Sequence, residues 1–342
     1  MNILKYICLP GLLVSGDIQT VSAVESKTDK NPNILVILID DAGYNDFGFM
    51  GSKEMQTPNI DALTSEGVVF TDAHVAATVS SPSRACLITG RYGHRFGYEC
   101  NLSDRTNGLP LEEETIAEVF KTNGYRTAAI GKWHLGSRDE QHPNNRGFDL
   151  FYGMKAGGRD YFYNEKKSDR PGDERNLLLN DRQVKFEKYL TDAFSEKAVE
   201  FINESSQPFM MYLAYNAVHT PMQATDEDMA KFEGHPRQKL AAMTYALDRG
   251  VGTVIRGLKD SGKFDNTLIF FLSDNGGATT NQSSNYPLKG FKGNKFEGGH
   301  RVPYFVVWKN GIPAGKPYDG LVSSLDIFAT AIDAASISKT RN

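Results

Sequence analysis

Short runs of apolar residues, rich in β-branched and aromatic side chains, recur along the chain. Runs that stay apolar at every position are typical of strands buried on both faces of a sheet. The pattern therefore predicts five strands, at residues 34–39, 127–130, 209–215, 268–272 and 304–307.

Helical signals lie between these strands. Thr115 and Glu118 form a capping box at the start of one helix, and Gly124 marks its end. Apolar residues at spacings of three and four over 240–258 predict a second, amphipathic helix closed by Gly262. Strands that alternate with helices predict an α/β fold with a large, mostly parallel sheet sandwiched by helices.

Polar side chains follow four of the predicted strands directly. These residues are Asp40 and Asp41, Lys132 and His134, His219, and Asp274 with Asn275. Because ligands of open α/β sheets bind at the carboxyl ends of the strands, we expect these side chains to converge on one rim.

The acidic and amide groups among them favour calcium or magnesium over zinc, because they offer hard oxygen donors. The sequence contains neither a C-x-x-C pair nor an H-E-x-x-H motif that would indicate zinc. One acidic pair after a strand is often only a helix cap, but two such pairs favour the metal site.

Three basic residues are candidates for binding an anion. Lys132 and His134 lie in G-K-W-H-L-G, where alternation places both on one face of an extended segment. Lys292 lies in a glycine-rich basic segment, residues 287–303, which is suited to wrapping around an anion. The alternative is that these residues bind no ligand. Each lysine would then be solvated, and His134 and His219 would be hydrogen-bonded within the fold.

Composition limits the partners and the compartment. The 342 residues include 38 basic and 42 acidic side chains, a formal net charge of −4. We therefore expect no general attraction to nucleic acid or membranes. Residues 1–23 resemble a secretory signal whose apolar run is too short to span a bilayer, with a disordered tail as the alternative. Residues 24–342 contain no repeat or linker and are interpreted as one domain of an exported protein.

The most specific segment is S-S-P-S-R-A-C-L-I-T-G-R, which begins at Ser80. Pro82 suits the first position of a short helix through residues 85–89, which would place residue 80 beside a positive helix N-terminus. The segment matches the signature C/S-x-P-S-R-x-x-L-x-T-G-R at every defining position. Cys86, inside it, is expected to be a small buried residue, although pairing with Cys100 in an oxidising compartment is the alternative.

Residues from about 33 to 335 resemble the formylglycine-dependent sulfatases of the alkaline-phosphatase-like superfamily. Other blocks that carry the resemblance are N-I-L-V-I-L-I-D-D, T-P-N-I-D-A-L, N-A-V-H-T-P, F-L-S-D-N-G-G and K-G-N-K-F-E-G-G-H-R-V-P. It implies that residues 24–342 are a sulfatase catalytic domain. It also implies that a serine-type maturase oxidises Ser80 to formylglycine, whose hydrate is the nucleophile.

The resemblance also implies a role for each candidate residue. One calcium ion would be held by Asp40, Asp41, Asp274 and Asn275. The hydrate would be held and activated by Arg84, Lys132 and His134, with His134 as the base for its collapse. Sulfate would be gripped by Lys292 and His219, and His219 would protonate the leaving alcohol.

Intermediate segments resemble bacterial exported sulfatases that act on sulfated polysaccharides, including carrageenan-type enzymes. His142, Arg146 and Arg159 are therefore candidate sugar contacts, with structural ion pairs as the alternative. Two features depart from the family pattern. The C-terminal subdomain is expected to be short or missing, and His300 stands where an apolar residue is expected.

The sequence thus predicts a calcium-dependent, exported enzyme that hydrolyses a sulfate ester on a carbohydrate. A phosphomonoesterase or phosphodiesterase of the same superfamily is one alternative. A non-catalytic protein that binds sulfated glycans is the other, and it would follow if Ser80 is not oxidised.

Overall fold

The structure, a computed structural model, describes residues 31–101 and 108–338. The predicted secretory signal, residues 1–23, lies outside the described residues. Within them, no helix is both long enough and apolar enough to cross a membrane.

The described strands include all five that the apolar runs predict. The strands are β1 (Asn33–Ile39), β2 (Val68–Phe70), β3 (Ala73–His74), β4 (Arg126–Lys132), β5 (Leu150–Met154), β6 (Leu178–Leu179), β7 (Arg182–Gln183), β8 (Phe209–Ala214), β9 (Thr267–Ser273), β10 (Tyr304–Val307) and β11 (Val322–Ser323). The helices are α1 (Pro58–Thr64), α2 (Ser80–Thr89), α3 (Ile116–Thr122), α4 (Leu190–Glu204), α5 (Asp226–Ala230), α6 (Gln238–Asp260), α7 (Glu297–His300) and α8 (Asp326–Ala334).

Nine strands form one sheet in the order β2-β10-β9-β1-β8-β4-β5-β6-β7, and β3 pairs with β11 in a second, small sheet. The central strands β9, β1, β8, β4 and β5 run parallel to one another. The outer strands β2, β10, β6 and β7 pair antiparallel. The prediction of a mostly parallel sheet is confirmed for the five central strands, whose carboxyl ends lie at the rim predicted to hold the site.

Both faces of the large sheet are covered, as the continuously apolar strands predict. Along β1, Leu35 and Ile37 belong to the core on the side of α4 and α6. Ile34 and Val36 belong to the opposite core, with residues of α2, α3 and α8. Every residue of β1 is buried, so the strand gives the residues that follow it a fixed position.

The predicted helix ends are confirmed. In α3, Thr115 accepts from the backbone amide of Glu118, and the Glu118 side chain accepts from the amide of Thr115. Gly124 follows α3 with a φ of 82°, and Gly262 follows α6 with a φ of 70°. Both are left-handed conformations that glycine adopts without a steric cost.

The predicted start of α2 is wrong. The helix begins at Ser80, after the N-cap Val79, and Pro82 is its third residue. Proline is tolerated there because the amide groups of the first helical turn have no partner within the helix. Ser80 is thus the first residue of the helix itself.

The two described cysteines do not pair. Cys86 is buried in α2 and Cys100 is exposed. Gly93 donates its amide proton to the Cys86 sulfur at 3.1 Å, and burial raises the pKa of the Cys86 thiol to about 11. Cys86 is therefore a packing residue, as the sequence indicates.

Candidate active site

The carboxyl ends of the central parallel strands meet at one rim of the large sheet. Asp40 directly follows β1, Asp274 directly follows β9, and Lys132 is the last residue of β4. The three side chains are buried. The structure therefore brings together groups that lie up to 251 positions apart in the sequence, since Lys292 contacts Asp41, as does Asn275.

Ser80 lies at the centre of this group. Its hydroxyl oxygen is 3.2 Å from Oδ1 of Asp40 and 3.2 Å from Oδ1 of Asn275. The backbone amides at the start of α2 and the positive end of the helix favour negative charge on this oxygen. The Ser80 hydroxyl group thus lies beside the side-chain oxygens of Asp40 and Asn275 and at a helix end that stabilises negative charge.

Each of the three site carboxylates is paired with a different cation. Lys132 Nζ is 2.7 Å from Asp40 Oδ2, Arg84 Nη2 is 2.9 Å from Asp274 Oδ2, and Lys292 Nζ is 2.6 Å from Asp41 Oδ1. Arg84 also donates its Nε to Asp274, so that pair is bidentate on the arginine side. The pairing offsets much of the cost of burying these charges.

The charges control which groups are ionised. Burial opposes ionisation of Asp40, but attraction to Lys132, and secondarily to His219 and Arg84, holds its pKa well below the ordinary value. Burial and the negative charge of Asp40 instead raise the pKa of Asp274. The carboxylates repel one another, so this site would gain stability from an additional cation.

The oxygen atoms of the site are of the kind that bind calcium. Asp40, Asp41, Asp274 and Asn275 are all buried and supply carboxylate and amide oxygens, which are the ligands that calcium prefers. The Asn275 amide nitrogen donates to Asp41 at 2.8 Å, leaving its oxygen directed toward Ser80. Asp40, Asp41 and His219 also offer ligand atoms within 4.8 Å of one another, but an imidazole is a poor calcium ligand.

His219 lies at the edge of the group. Its Nδ1 is 2.6 Å from the carbonyl oxygen of Thr220, so Nδ1 carries the proton and donates it. Its Nε2 is 3.7 Å from Asp41 Oδ2, and 23% of the side chain is exposed. The ring therefore presents Nε2 to the site from a partly open position.

His134 is partly buried, and its surroundings favour the neutral form of its ring. Burial, followed by repulsion from Lys132 and Arg84, lowers the His134 pKa well below the ordinary value. A neutral imidazole in this position is able to accept a proton.

Two site residues have left-handed backbones. Asp41 has a φ of 62° and His134 a φ of 57°, a conformation that costs free energy in residues with a Cβ atom. Asn281, buried nearby, donates its side-chain amide to the carbonyl oxygens of Asp41 and Val218 at 3.1 and 2.9 Å. The surrounding contacts thus hold the chain in a shape that it would not adopt alone.

Sequence reasoning missed several supporting residues. Ser81 donates to the carbonyl oxygen of His134 at 2.8 Å and shares a hydrogen bond with the Tyr98 hydroxyl at 2.6 Å. A methyl group at Gly157 would lie 2.6 Å from His134 Nε2, and one at Gly158 would lie 3.3 Å from the His219 ring. The Gly157-Gly158 doublet is the sequence feature that could have indicated this close packing. No feature of the sequence marks Asn281 or Tyr98 as supporting residues of the site.

The three candidate sugar contacts all interact with other residues of the protein. Arg159 is buried and pairs with both oxygens of Asp169 at 2.8 and 2.9 Å. Arg146 is buried and donates to backbone carbonyl groups, including that of Leu109 at 3.3 Å. His142 accepts from a backbone amide two residues ahead and packs edge-on against Phe151. These contacts within the protein are of the kind that the sequence analysis gives as the alternative to sugar binding.

The chain belongs to the sulfatase family, whose sequence model matches residues 32–337. The fold is the alkaline-phosphatase-like fold of its structural neighbours, as the sequence resemblance implies. A solved structure of Ps i-CgsB in complex with k-i-k-neocarrahexaose is similar to this chain with a TM-score of 0.85 and 43% identity. The similarity covers 91% of this chain and 73% of that chain.

Two curated relatives are similar over most of the chain. The uncharacterized sulfatase YdeN of Escherichia coli K12 is 34% identical over 92% of this chain and 64% of its own length. Arylsulfatase G of Mus musculus is 36% identical over 91% of this chain and 66% of its own length. This chain therefore spans about two thirds of the length of these relatives.

The close approach of Gly157 to His134 predicts the effect of a substitution. We expect Gly157→Ala to lower the free energy of unfolding by about 1–3 kcal/mol, because the added methyl group must displace the partly buried His134 ring. Gly315→Ala is the matched control, since its methyl group would have its nearest neighbour at 3.9 Å. Denaturant unfolding of both variants measures the difference, and equal stabilities would contradict the packing described here.

Proposed function

We propose that this protein is a calcium-dependent sulfatase that hydrolyses a sulfate ester on a carbohydrate, with formylglycine formed from Ser80 as its nucleophile. The observation that carries the proposal is the position of Ser80. It is the first residue of α2, within 3.2 Å of two calcium-type ligands, and it begins a complete sulfatase signature. An ordinary serine would instead leave a stable sulfate ester on the protein after attack.

The modified residue would supply a pair of hydroxyl groups, of which one attacks sulfur and the other, once deprotonated, expels sulfate as the aldehyde re-forms. His134 is the proposed acceptor of that proton, since burial and neighbouring cations lower its pKa and so favour the neutral ring, the form that can accept a proton. Arg84 and Lys132 orient the carboxylates beside residue 80 and offset their charge.

Lys292 and His219 are proposed to bind the sulfate group. The Lys292 ammonium group is held at the site by its ion pair with Asp41. Burial opposes its charge, but attraction to Asp41 and Asp40 raises the pKa of Lys292. His219 donates from Nδ1 to a carbonyl group, so its Nε2, when protonated, is available to protonate the leaving alcohol. Its partial exposure suits a group that meets the substrate.

Asp40, Asp41, Asp274 and Asn275 are proposed to hold one calcium ion. A bound divalent ion would offset the negative charge of the sulfate group and of the attacking oxygen. The raised pKa of Asp274 supports this role, because a further cation would offset the burial and the negative charge of Asp40 that oppose its ionisation.

The proposed substrate is a sulfated polysaccharide or an oligosaccharide derived from one. The carbohydrate bound in the Ps i-CgsB structure, together with 43% identity to that protein, supports this class. The signal-like residues 1–23 support export to the periplasm or beyond. A serine-type maturase would then be a required partner, because Ser80 must be oxidised.

Replacing the proposed nucleophile tests the function. We expect Ser80→Ala to lower the turnover of an aryl sulfate by a factor on the order of 10⁴ or more while the protein remains folded. Ser195→Ala is the matched control, because it removes a buried hydroxyl group of α4 that bonds to Thr191 and Tyr215, outside the site, and it should leave turnover unchanged.

The same assay with an aryl phosphate separates the sulfatase from a phosphatase of this superfamily. The proposal requires a higher kcat/KM for the aryl sulfate in the wild-type protein. Retained turnover in Ser80→Ala, or a preference for the phosphate, would refute it.

Calcium binding predicts a gain in stability. At calcium concentrations about 100 times the Kd, the free energy of unfolding should rise by about 2.7 kcal/mol. Asp274→Asn should lose most of this increment, because a ligand charge is removed. Asp248→Asn, the control at a buried carboxylate that bonds to Asn59 and Ile60, should keep the increment. Thermal unfolding with and without calcium measures it, and an equal increment in Asp274→Asn argues against this ligand set.

A further inference from the structure

We propose that His74, Glu297 and His300 form a binding site for a zinc-class divalent metal ion, distinct from the site around Ser80. Each residue offers one ligand atom, and the three atoms lie within 4.8 Å of one another. Two imidazoles and a carboxylate are ligands that suit zinc and related transition metals better than calcium. The two candidate sites share no residue.

Backbone pairing holds the three side chains together. His74 ends β3 and forms an antiparallel bridge with Arg301. The next residue, Val75, donates its amide proton to the carbonyl oxygen of His300 at 2.8 Å. Glu297 and His300 are the first and last residues of α7, so their spacing of three places them on the same side of one turn. The ligands are thus preorganised by two chain segments.

The distances are close to those of a metal site. His74 Nε2 is 3.1 Å from Glu297 Oε2, and the rings of His74 and His300 are 5.1 Å apart between centroids. Ligands on a tetrahedral zinc ion at bond lengths of about 2.0–2.1 Å are separated by roughly 3.3 Å. The His74–Glu297 pair already has this separation, and the three ligand atoms, all within 4.8 Å of one another, would have to move closer together around an ion.

The surroundings also favour a cation. Asp72 Oδ1 lies 3.9 Å from His74 Nδ1, too far for a hydrogen bond, and adds negative charge beside the cluster. Arg301 bonds to the Thr71 carbonyl group and lies 3.4 Å from Asp72 and 3.5 Å from Glu297. With neutral imidazoles, two carboxylates and one guanidinium leave a net charge of −1, which attracts a divalent ion.

The partial exposure of the cluster gives the ion access. The His74 side chain is 18% exposed and that of Glu297 is 47% exposed, which leaves room for water as a fourth ligand. His300 is the residue that departs from the apolar side chain expected at its position, and its imidazole is what completes the ligand set. Without a metal, His74 and Glu297 form a hydrogen-bonded pair, and the experiment must distinguish these two states.

Calorimetric titration with zinc distinguishes them. The tag-free full chain is titrated in excess calcium, which occupies oxygen sites but competes poorly for imidazole. We expect one equivalent of zinc to bind to the wild-type protein. His300→Asn and His74→Asn should each weaken this binding at least tenfold. His94→Asn, which changes an exposed histidine elsewhere, should bind as the wild type does.

Absence of zinc binding, or binding that is unchanged in both ligand variants, would overturn the proposal. Zinc-edge X-ray absorption of the wild-type protein keeps the test decisive if the variants fail to fold. Two imidazole ligands are expected in the spectrum, and one or none would contradict the site.

Discussion

The pairing of three buried carboxylates with three cations at the ends of parallel strands is the constraint on which the rest of the site depends. Asp40, Asp41 and Asp274 lie at the tips of β1 and β9, where the backbone gives them little freedom. Burying an ionised carboxylate is costly unless it is paired and hydrogen-bonded. Arg84, Lys132 and Lys292 must therefore come to the same place, each from a different element.

Such a network adds little to stability, because apolar side chains of similar volume would often pack as well. For the proposed sulfatase activity, its value would lie in holding charges in fixed positions before a substrate binds, which is usually the largest single contribution to catalysis. The left-handed backbones of Asp41 and His134 also indicate that the positions of these residues are fixed at a cost in stability. Strain of this kind persists only where the surrounding structure fixes it.

Much of this arrangement could be predicted from the sequence, because continuously apolar strands can only be central and their carboxyl ends must share a rim. Asp40, Asp274 and Lys132 were found in this way. The start of α2 was not, because proline is compatible with several positions in a first turn. Residues such as Asn281 and Tyr98, and the structural role of Arg159, depend on distant partners that no local pattern reveals.

The central claim is that residue 80 becomes an aldehyde within this charged group, and mass spectrometry of the peptide containing it tests the claim most directly. The protein should come from a host with a serine-oxidising maturase and should be assayed for sulfate release in the same preparation. The account predicts a Ser80 peptide lighter by one hydrogen molecule in active protein. An unmodified serine in protein that turns over sulfate esters would contradict it.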